Sequence, residues 1–227
     1  MQEVKRRAFW RSLSEIAIKR ALALLCVLAA PLAAQNDLDP FINALQSKYN
    51  KLASWSAGFT QIYNAPGERT RRESGRLLLK KPGRMRWDYT APENKLFVSD
   101  GKWLYEYVAA EKLATRVAVK EADDLRSAFL FLLGRGNLRR DFKRIEWANE
   151  APLTAGQRVL RLVPKRGDVR ELLVEVEPAT LQLKRLTIIN GNGGRSDFIF
   201  SNLRENPPTN AEQFTFTAPA GVRVVEQ

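Results

Sequence analysis

The chain has 227 residues, with 37 Lys and Arg against 25 Asp and Glu, a net charge of +12, one cysteine and no histidine. The length suits one domain with a sizeable core. Without histidine, triads with an imidazole base, His-ligated metals and the commonest general acid–base group are excluded. No Gly-x-Ser-x-Gly elbow, P-loop or dinucleotide-binding glycine pattern occurs either, so neither an enzyme nor a bound cofactor is expected.

Residues 1–34 read as a secretory signal peptide: Lys5, Arg6, Arg7, Arg11, Lys19 and Arg20 precede the uncharged run from Ala21 to Ala34, which ends in small residues. That run is shorter than the ~20 residues of a membrane span, and no later stretch approaches that length. Cys26 lies inside it behind Leu25, where a lipobox wants a small residue, so N-terminal lipidation is not expected. Removal of the segment leaves residues 35–227 as a single domain without a thiol, in keeping with an oxidising compartment such as the periplasm. The segment holds six of the basic and two of the acidic residues, and its loss leaves a net charge of +8. Such a balance can signal nucleic acid. Export and the interleaving of charges with apolar residues point instead to a solvated outer face.

Asp39 as N-cap, Pro40 at the first helical position, and Phe41, Ile42, Leu45, Tyr49 and Leu52 at helical spacing predict a helix with one apolar face. From Trp55 the period changes to two, and strands are expected near 56–63, 73–81, 84–90, 95–99, 102–108, 114–120, 157–164, 169–177, 182–189, 195–203 and 213–217. Asp100-Gly101 is a hairpin signal, and Asn190 to Gly194 a looser one, so neighbouring strands should be antiparallel. Their regular spacing suits a meander, barrel or sandwich. A helix over 123–133 interrupts them, started by Asp123-Asp124 and stopped by Gly134. Its run Phe129 to Leu133 has no polar side, which requires cover on several sides.

The segment Gly83 to Tyr89 alternates cleanly, with Met85, Trp87 and Tyr89 on one side and Arg84, Arg86 and Asp88 on the other. Leu77, Leu79 and Lys81 share a side in the strand before; Trp103, Tyr105 and Tyr107 do so after Gly101, and Phe198 and Phe200 late in the chain. Such stripes are compatible with an ordinary packed core or with a cavity for an apolar ligand, and the pattern alone favours the core.

Phe59-Thr60-Gln61, Ser74-Gly75, Lys81-Pro82-Gly83-Arg84-Met85-Arg86-Trp87-Asp88-Tyr89, Pro92, Val98-Ser99-Asp100-Gly101-Lys102, Tyr105 and Phe214-Thr215-Phe216 with Pro219 and Gly221-Val222 stand in an order that resembles the LolA family of periplasmic lipoprotein carriers. The resemblance spans nearly all of residues 35–227. It implies an α+β, mainly β, fold: an incomplete antiparallel β-barrel, a curved sheet covered by a lid of short helices. It also implies a monomer that takes lipoprotein acyl chains from an inner-membrane ABC transporter and delivers them to the outer-membrane acceptor LolB or an equivalent.

On that reading Phe59, Leu77, Leu79, Met85, Trp87 and Tyr89 line the acyl cavity together with Phe97, Trp103, Tyr105, Phe198 and Phe200. For Phe97 and Phe198 a core role serves as well. Leu125, Phe129, Leu132 and Leu133 form the underside of the lid, and Lys81 stands where the family's basic latch bonds lid carbonyls. Arg is familiar there, so Lys implies a weaker or differently bonded latch. The rival readings are a LolB-like acceptor, which would need a mature N-terminal cysteine, an RseB-like sensor, and a structural β-protein with a solid core.

Overall fold

The computed structural model describes residues 37–119 and 136–226. The chain divides into two compact units, residues 1–43 and 44–227, and the first described helix, α1 (Leu38–Lys51), runs from one into the other. It begins one residue before the expected cap: Asp39 lies in the first turn, where its charge favours the helix N-terminus, and the Phe41 amide reaches the Asp37 carbonyl at 3.1 Å.

The second unit carries β1 (Ser54–Asn64), β2 (Arg71–Lys80), β3 (Arg84–Ala91), β4 (Lys95–Ser99), β5 (Trp103–Val108) and β6 (Leu113–Ala118). After a one-turn helix, α2 (Leu138–Asp141), come β7 (Phe142–Trp147), β8 (Arg158–Pro164), β9 (Val169–Glu177), β10 (Gln182–Asn190), β11 (Arg195–Glu205) and β12 (Arg223–Glu226). These described strands form one open curved sheet in the order β12-β6-β5-β4-β3-β2-β1-β11-β10-β9-β8-β7. All neighbours are antiparallel except β12, which lies parallel on β6.

Local chemistry sets the turns. Gly83 takes φ 71° in the short β2–β3 turn, a conformation open to glycine. Asp100 Oδ1 accepts from the Lys102 and Trp103 amides at 2.7 and 2.9 Å and so closes the β4–β5 turn. Gly75 sits where β2 and β3 shift register, and a Cβ there would stand 1.9 Å from the Asp88 carbonyl oxygen.

The strand expected at 213–217 is absent. Glu212–Phe214 is a single 3₁₀ turn, with the Thr215 amide bonded back to the Glu212 carbonyl. Phe214 and Phe216 alternate because both pack against neighbouring side chains, and no strand pairs with their backbone. Two strands were missed: β7, whose alternation a bulge between Phe142 and Arg144 interrupts, and β12, which is short and exposed throughout. The predicted helix 123–133 lies outside the described residues.

Register gives the sheet two unlike faces. On one, Leu77 stands opposite Trp87, Leu79 opposite Met85, Phe59 opposite Phe200 and Leu186 opposite Phe198. Towards the β7 edge this face becomes aliphatic, with Leu186 opposite Val174, Ile188 opposite Leu172, and Leu160 and Leu162 beyond. These side chains are buried. Each contributes roughly 1.5–3 kcal/mol on leaving water.

The other face is more polar: beside a small buried cluster of Val159, Leu173 and Ile189 it carries a network of paired charges. Arg185 donates from Nε to Glu175 at 2.9 Å and lies 3.0 Å from Glu150, while Arg195 binds Glu150 at 2.8 Å and Asp197 at 2.8 Å. The Thr187 hydroxyl donates to Asp197 at 2.6 Å, and Glu175, fully buried, also accepts from the Leu153 amide at 2.8 Å. Burial pushes Asp197 up, but the bonds from Arg195 and Thr187 outweigh it and hold the carboxyl below its usual range. The Arg195 guanidinium holds Glu150 down in the same way.

Candidate functional site: an apolar sheet face and its lysine tether

The centre of the apolar face is an aromatic cluster on β1, β3 and β11. The Phe59 ring meets Trp87 and Tyr89 edge to face, each with centroids 4.9 Å apart, and Trp87 meets Phe198 at 5.5 Å. Tyr89 reaches Phe97 at 5.6 Å, and Trp55 meets Phe200 at 5.1 Å. Such pairs each add about 0.5–1.5 kcal/mol beyond burial. The Trp55 side chain is 2% exposed, and its indole Nε1 has no acceptor among the described residues.

Of the residues read from sequence as cavity lining, Phe59, Leu77, Leu79, Met85, Trp87, Tyr89, Phe97, Phe198 and Phe200 share this face. Trp103 and Tyr105 do not. Phe97 pairs with Glu106 and Val98 with Tyr105, which turns Trp103, Tyr105 and Tyr107 to the opposite side. There Tyr105 stacks on Phe216 at 5.0 Å and the Arg116 guanidinium lies 4.7 Å over the Trp103 ring. Parity accounts for this: Ser99 pairs with Leu104, so odd-numbered residues of β4 stand opposite even-numbered residues of β5, and the odd-numbered residues of the two strands lie on opposite faces. Leu160, Leu162, Leu172, Val174, Leu186 and Ile188 extend the face and were not singled out, because apolar runs such as Leu172-Leu173-Val174 hide the alternation.

One end of the aromatic cluster is polar. The Tyr89 hydroxyl donates to Gln61 Oε1 at 2.7 Å, and Lys95 pairs with Glu73 while its ammonium lies 5.0 Å over the Tyr89 ring. Burial, aided by the charges of Glu73 and Glu106, pushes the Tyr89 hydroxyl well above its usual range. Glu106 is also raised, chiefly by burial.

The other end carries Lys81. Its ammonium donates to the backbone carbonyls of Tyr49 and, at 3.1 Å, Asn50, in the last turn of α1. A helix leaves its final carbonyls without partners and carries a partial negative charge there, so a lysine is a fitting tether. Partial burial lowers the Lys81 ammonium below its ordinary value. Further bonds fix the same stretch of α1: the Tyr49 hydroxyl accepts from the Leu183 amide at 2.9 Å, Lys48 pairs with Glu205 at 2.5 Å, and Gln46 Oε1 accepts from the Leu138 amide at 2.8 Å. The expected lid residues Leu125, Phe129, Leu132 and Leu133 lie outside the described residues, so the partners seen for Lys81 belong to α1.

The polar face has a groove of about 950 Å³ between the strands and Pro207, Pro208 and Gln213, lined by Arg76, Arg86, Asp88 and Arg204 among others. Arg86 binds Asp88 at 2.7 Å and donates to the Gln213 carbonyl at 3.3 Å. Among the described residues no cluster of Cys, Asp and Glu is arranged to hold a metal, and no helix is long and apolar enough to cross a membrane.

The family model for "Outer membrane lipoprotein carrier protein LolA" matches residues 50–217. The outer-membrane lipoprotein carrier protein of Bordetella avium is 31% identical over 215 residues, covering 94% of this chain and 96% of that one. Its counterpart from Pectobacterium carotovorum is 28% identical, covering 92% and 99%. The solved structure of an uncharacterized conserved protein from Thermus thermophilus, 13% identical, shares the fold with a TM-score of 0.52 over 82% of this chain and 97% of its own. From the aromatic sheet face, the ordered motifs and a match that spans most of its length, the chain belongs to the outer membrane lipoprotein carrier protein LolA family.

Proposed function

We propose that this protein carries lipoproteins across the periplasm, holding their acyl chains against the apolar face and moving them from an inner-membrane ABC transporter to an outer-membrane acceptor. The names of its relatives and the family match support the carrier role. Each methylene exposed to water costs about 0.8 kcal/mol, so a lipoprotein with several long chains needs a shield worth tens of kcal/mol. Phe59, Leu77, Leu79, Met85, Trp87, Tyr89, Phe97, Phe198 and Phe200 would provide it, with Met85 and edge-to-face rings adapting to chains of different shape. The unpaired indole N–H of Trp55 would meet an ester or amide carbonyl of the cargo.

The observation that carries the reading is Lys81. Its ammonium ties the end of α1 to the turn beside the apolar face through two carbonyl bonds, which, like the neighbouring bonds of Tyr49, Lys48 and Gln46, lie outside the strand ladder, so that opening them would leave the sheet intact. A closed state with its own stability lets cargo be released as well as taken up, since closing after release returns the energy of opening.

The test is transfer of a triacylated lipoprotein from proteoliposomes containing the transporter into solution, then to acceptor-bearing vesicles. The protein should perform both steps. Lys81→Leu should take up cargo and release it more slowly, because its closed empty state is less stable, and Lys81→Arg should restore release. Unchanged uptake and release in Lys81→Leu would refute the tether role; no soluble complex with the unaltered protein would refute the carrier.

A further inference from the structure

At the end of the sheet away from Lys81, the β8–β9 and β10–β11 turns flank a groove of about 1000 Å³. Its lining includes Ile188 and Phe198, buried on the apolar face, and Val163, buried on the other. Lys143, Arg144, Lys165, Arg166 and Arg170 stand exposed around it, and Asp168 is the one acidic side chain among its described lining. Lys143, Arg144 and Arg166 have no carboxylate partner among the described residues. The Lys165 amide donates to the Asp141 carbonyl at 3.1 Å, while its ammonium acts on the Asp141 carboxylate through space, and Arg140 already binds that carboxylate at 2.7 Å. By contrast Arg161, also in the lining, is held by Glu146 and Glu171, both at 2.5 Å, and Arg170 lies 3.3 Å from Glu171. Spread along the sequence these cations read as a solvated face. Antiparallel pairing of β7 with β8, which sets Phe142 opposite Pro164, gathers them at one end.

We infer that this end docks on an anionic phospholipid surface. The charge is of the right sign, and that of Lys143, Arg144 and Arg166 is not spent on carboxylates among the described residues; it surrounds a groove whose lining includes the apolar Val163, Ile188 and Phe198. A bilayer presents the matching arrangement, phosphates above hydrocarbon. Exposed Lys and Arg side chains can reach phosphates while their stems lie along apolar surface. The Lys165-Arg166-Gly167 turn projects two of them, with Gly167 at φ 87°. This attraction is independent of whether the protein carries a lipoprotein.

The test is co-sedimentation of the protein with vesicles of phosphatidylcholine alone and of equimolar phosphatidylcholine and phosphatidylglycerol. The protein should bind the anionic vesicles, and added salt should weaken binding. K165E/R166E should weaken it by roughly fivefold for each cation lost. K102E/R204E, which reverses two exposed cations at the other end, should bind as the unaltered protein does. Equal binding to both vesicle types, or equal loss in both double variants, would overturn the assignment. If neither vesicle binds but polyglutamate does, with loss in K165E/R166E, the surface docks an acidic polypeptide and the lipid assignment is wrong.

Discussion

Strands β8–β10 and strands β1–β4 with β11 bury one face of the same sheet with different materials. In β8–β10 the buried side chains of that face are aliphatic, and the opposite face is locked by Arg185 and Glu175 together with Glu150 and, from β11, Arg195 and Asp197. In β1–β4 and β11 rings and Met85 stand among leucines, and the Lys81 ammonium, bonded to two carbonyls, is one of the contacts that fix the end of α1. Branched aliphatics locked by buried charge favour one geometry, whereas methionine and edge-to-face rings can rearrange at small cost. The first half suits a frame and the second a surface that yields to a ligand.

The largest effect should come from breaking the frame. Glu175→Leu removes the fully buried partner of the Arg185 guanidinium, 7% exposed, leaving it Glu150 at 3.0 Å and Asp197 at 3.7 Å, and should lower stability by about 3 kcal/mol in denaturant unfolding. The double variant Glu175→Leu with Arg185→Met should recover most of that loss; a double variant as unstable as the single would show that shape, not charge pairing, holds the frame. Gly75→Ala should cost about 1–3 kcal/mol, because the new Cβ runs into the Asp88 carbonyl and β2 and β3 must part. Faster amide exchange should then be confined to β2 and β3, and a uniform increase would contradict it.

Acid should loosen the frame before the aromatic half. Asp197 and Glu150 are held below their usual carboxylate range in the folded protein. Their stabilisation is complete above the unfolded carboxylate value of about 4 and is lost as pH falls through the depressed folded values. Unfolding followed by pH should show this loss, and Glu150→Gln should shrink it. The smallest effect on stability belongs to Lys81→Leu, about 1 kcal/mol for a half-exposed tether, though its effect on cargo release should be plain. A loss as large as that of Glu175→Leu would make Lys81 part of the frame.

Much of this was legible in sequence. Period-two alternation located ten of the strands, and Asp100-Gly101 located a hairpin, because both depend on nearest neighbours along the chain. Which faces join was less legible, since that depends on pairing: Trp103 alternates like Trp87 yet lies on the other side. Phe214 and Phe216 mimic a strand, while β7 hides one behind a bulge. Lys81 was found through the ordered motif, but its partners in α1 follow only from the fold. The ring of cations near Lys165 shows the same limit, because spacing along the chain does not reveal what a β-hairpin brings together.

On the reading proposed above, the face bearing Phe97, and not the face bearing Tyr105, receives the acyl chains. With Cys26 replaced, Phe97→Cys and Tyr105→Cys can each carry a benzophenone label and be irradiated with a lipoprotein bound. Position 97 should crosslink to the acyl chains and position 105 should not. Crosslinks from position 105 alone, or equally from both, would contradict it.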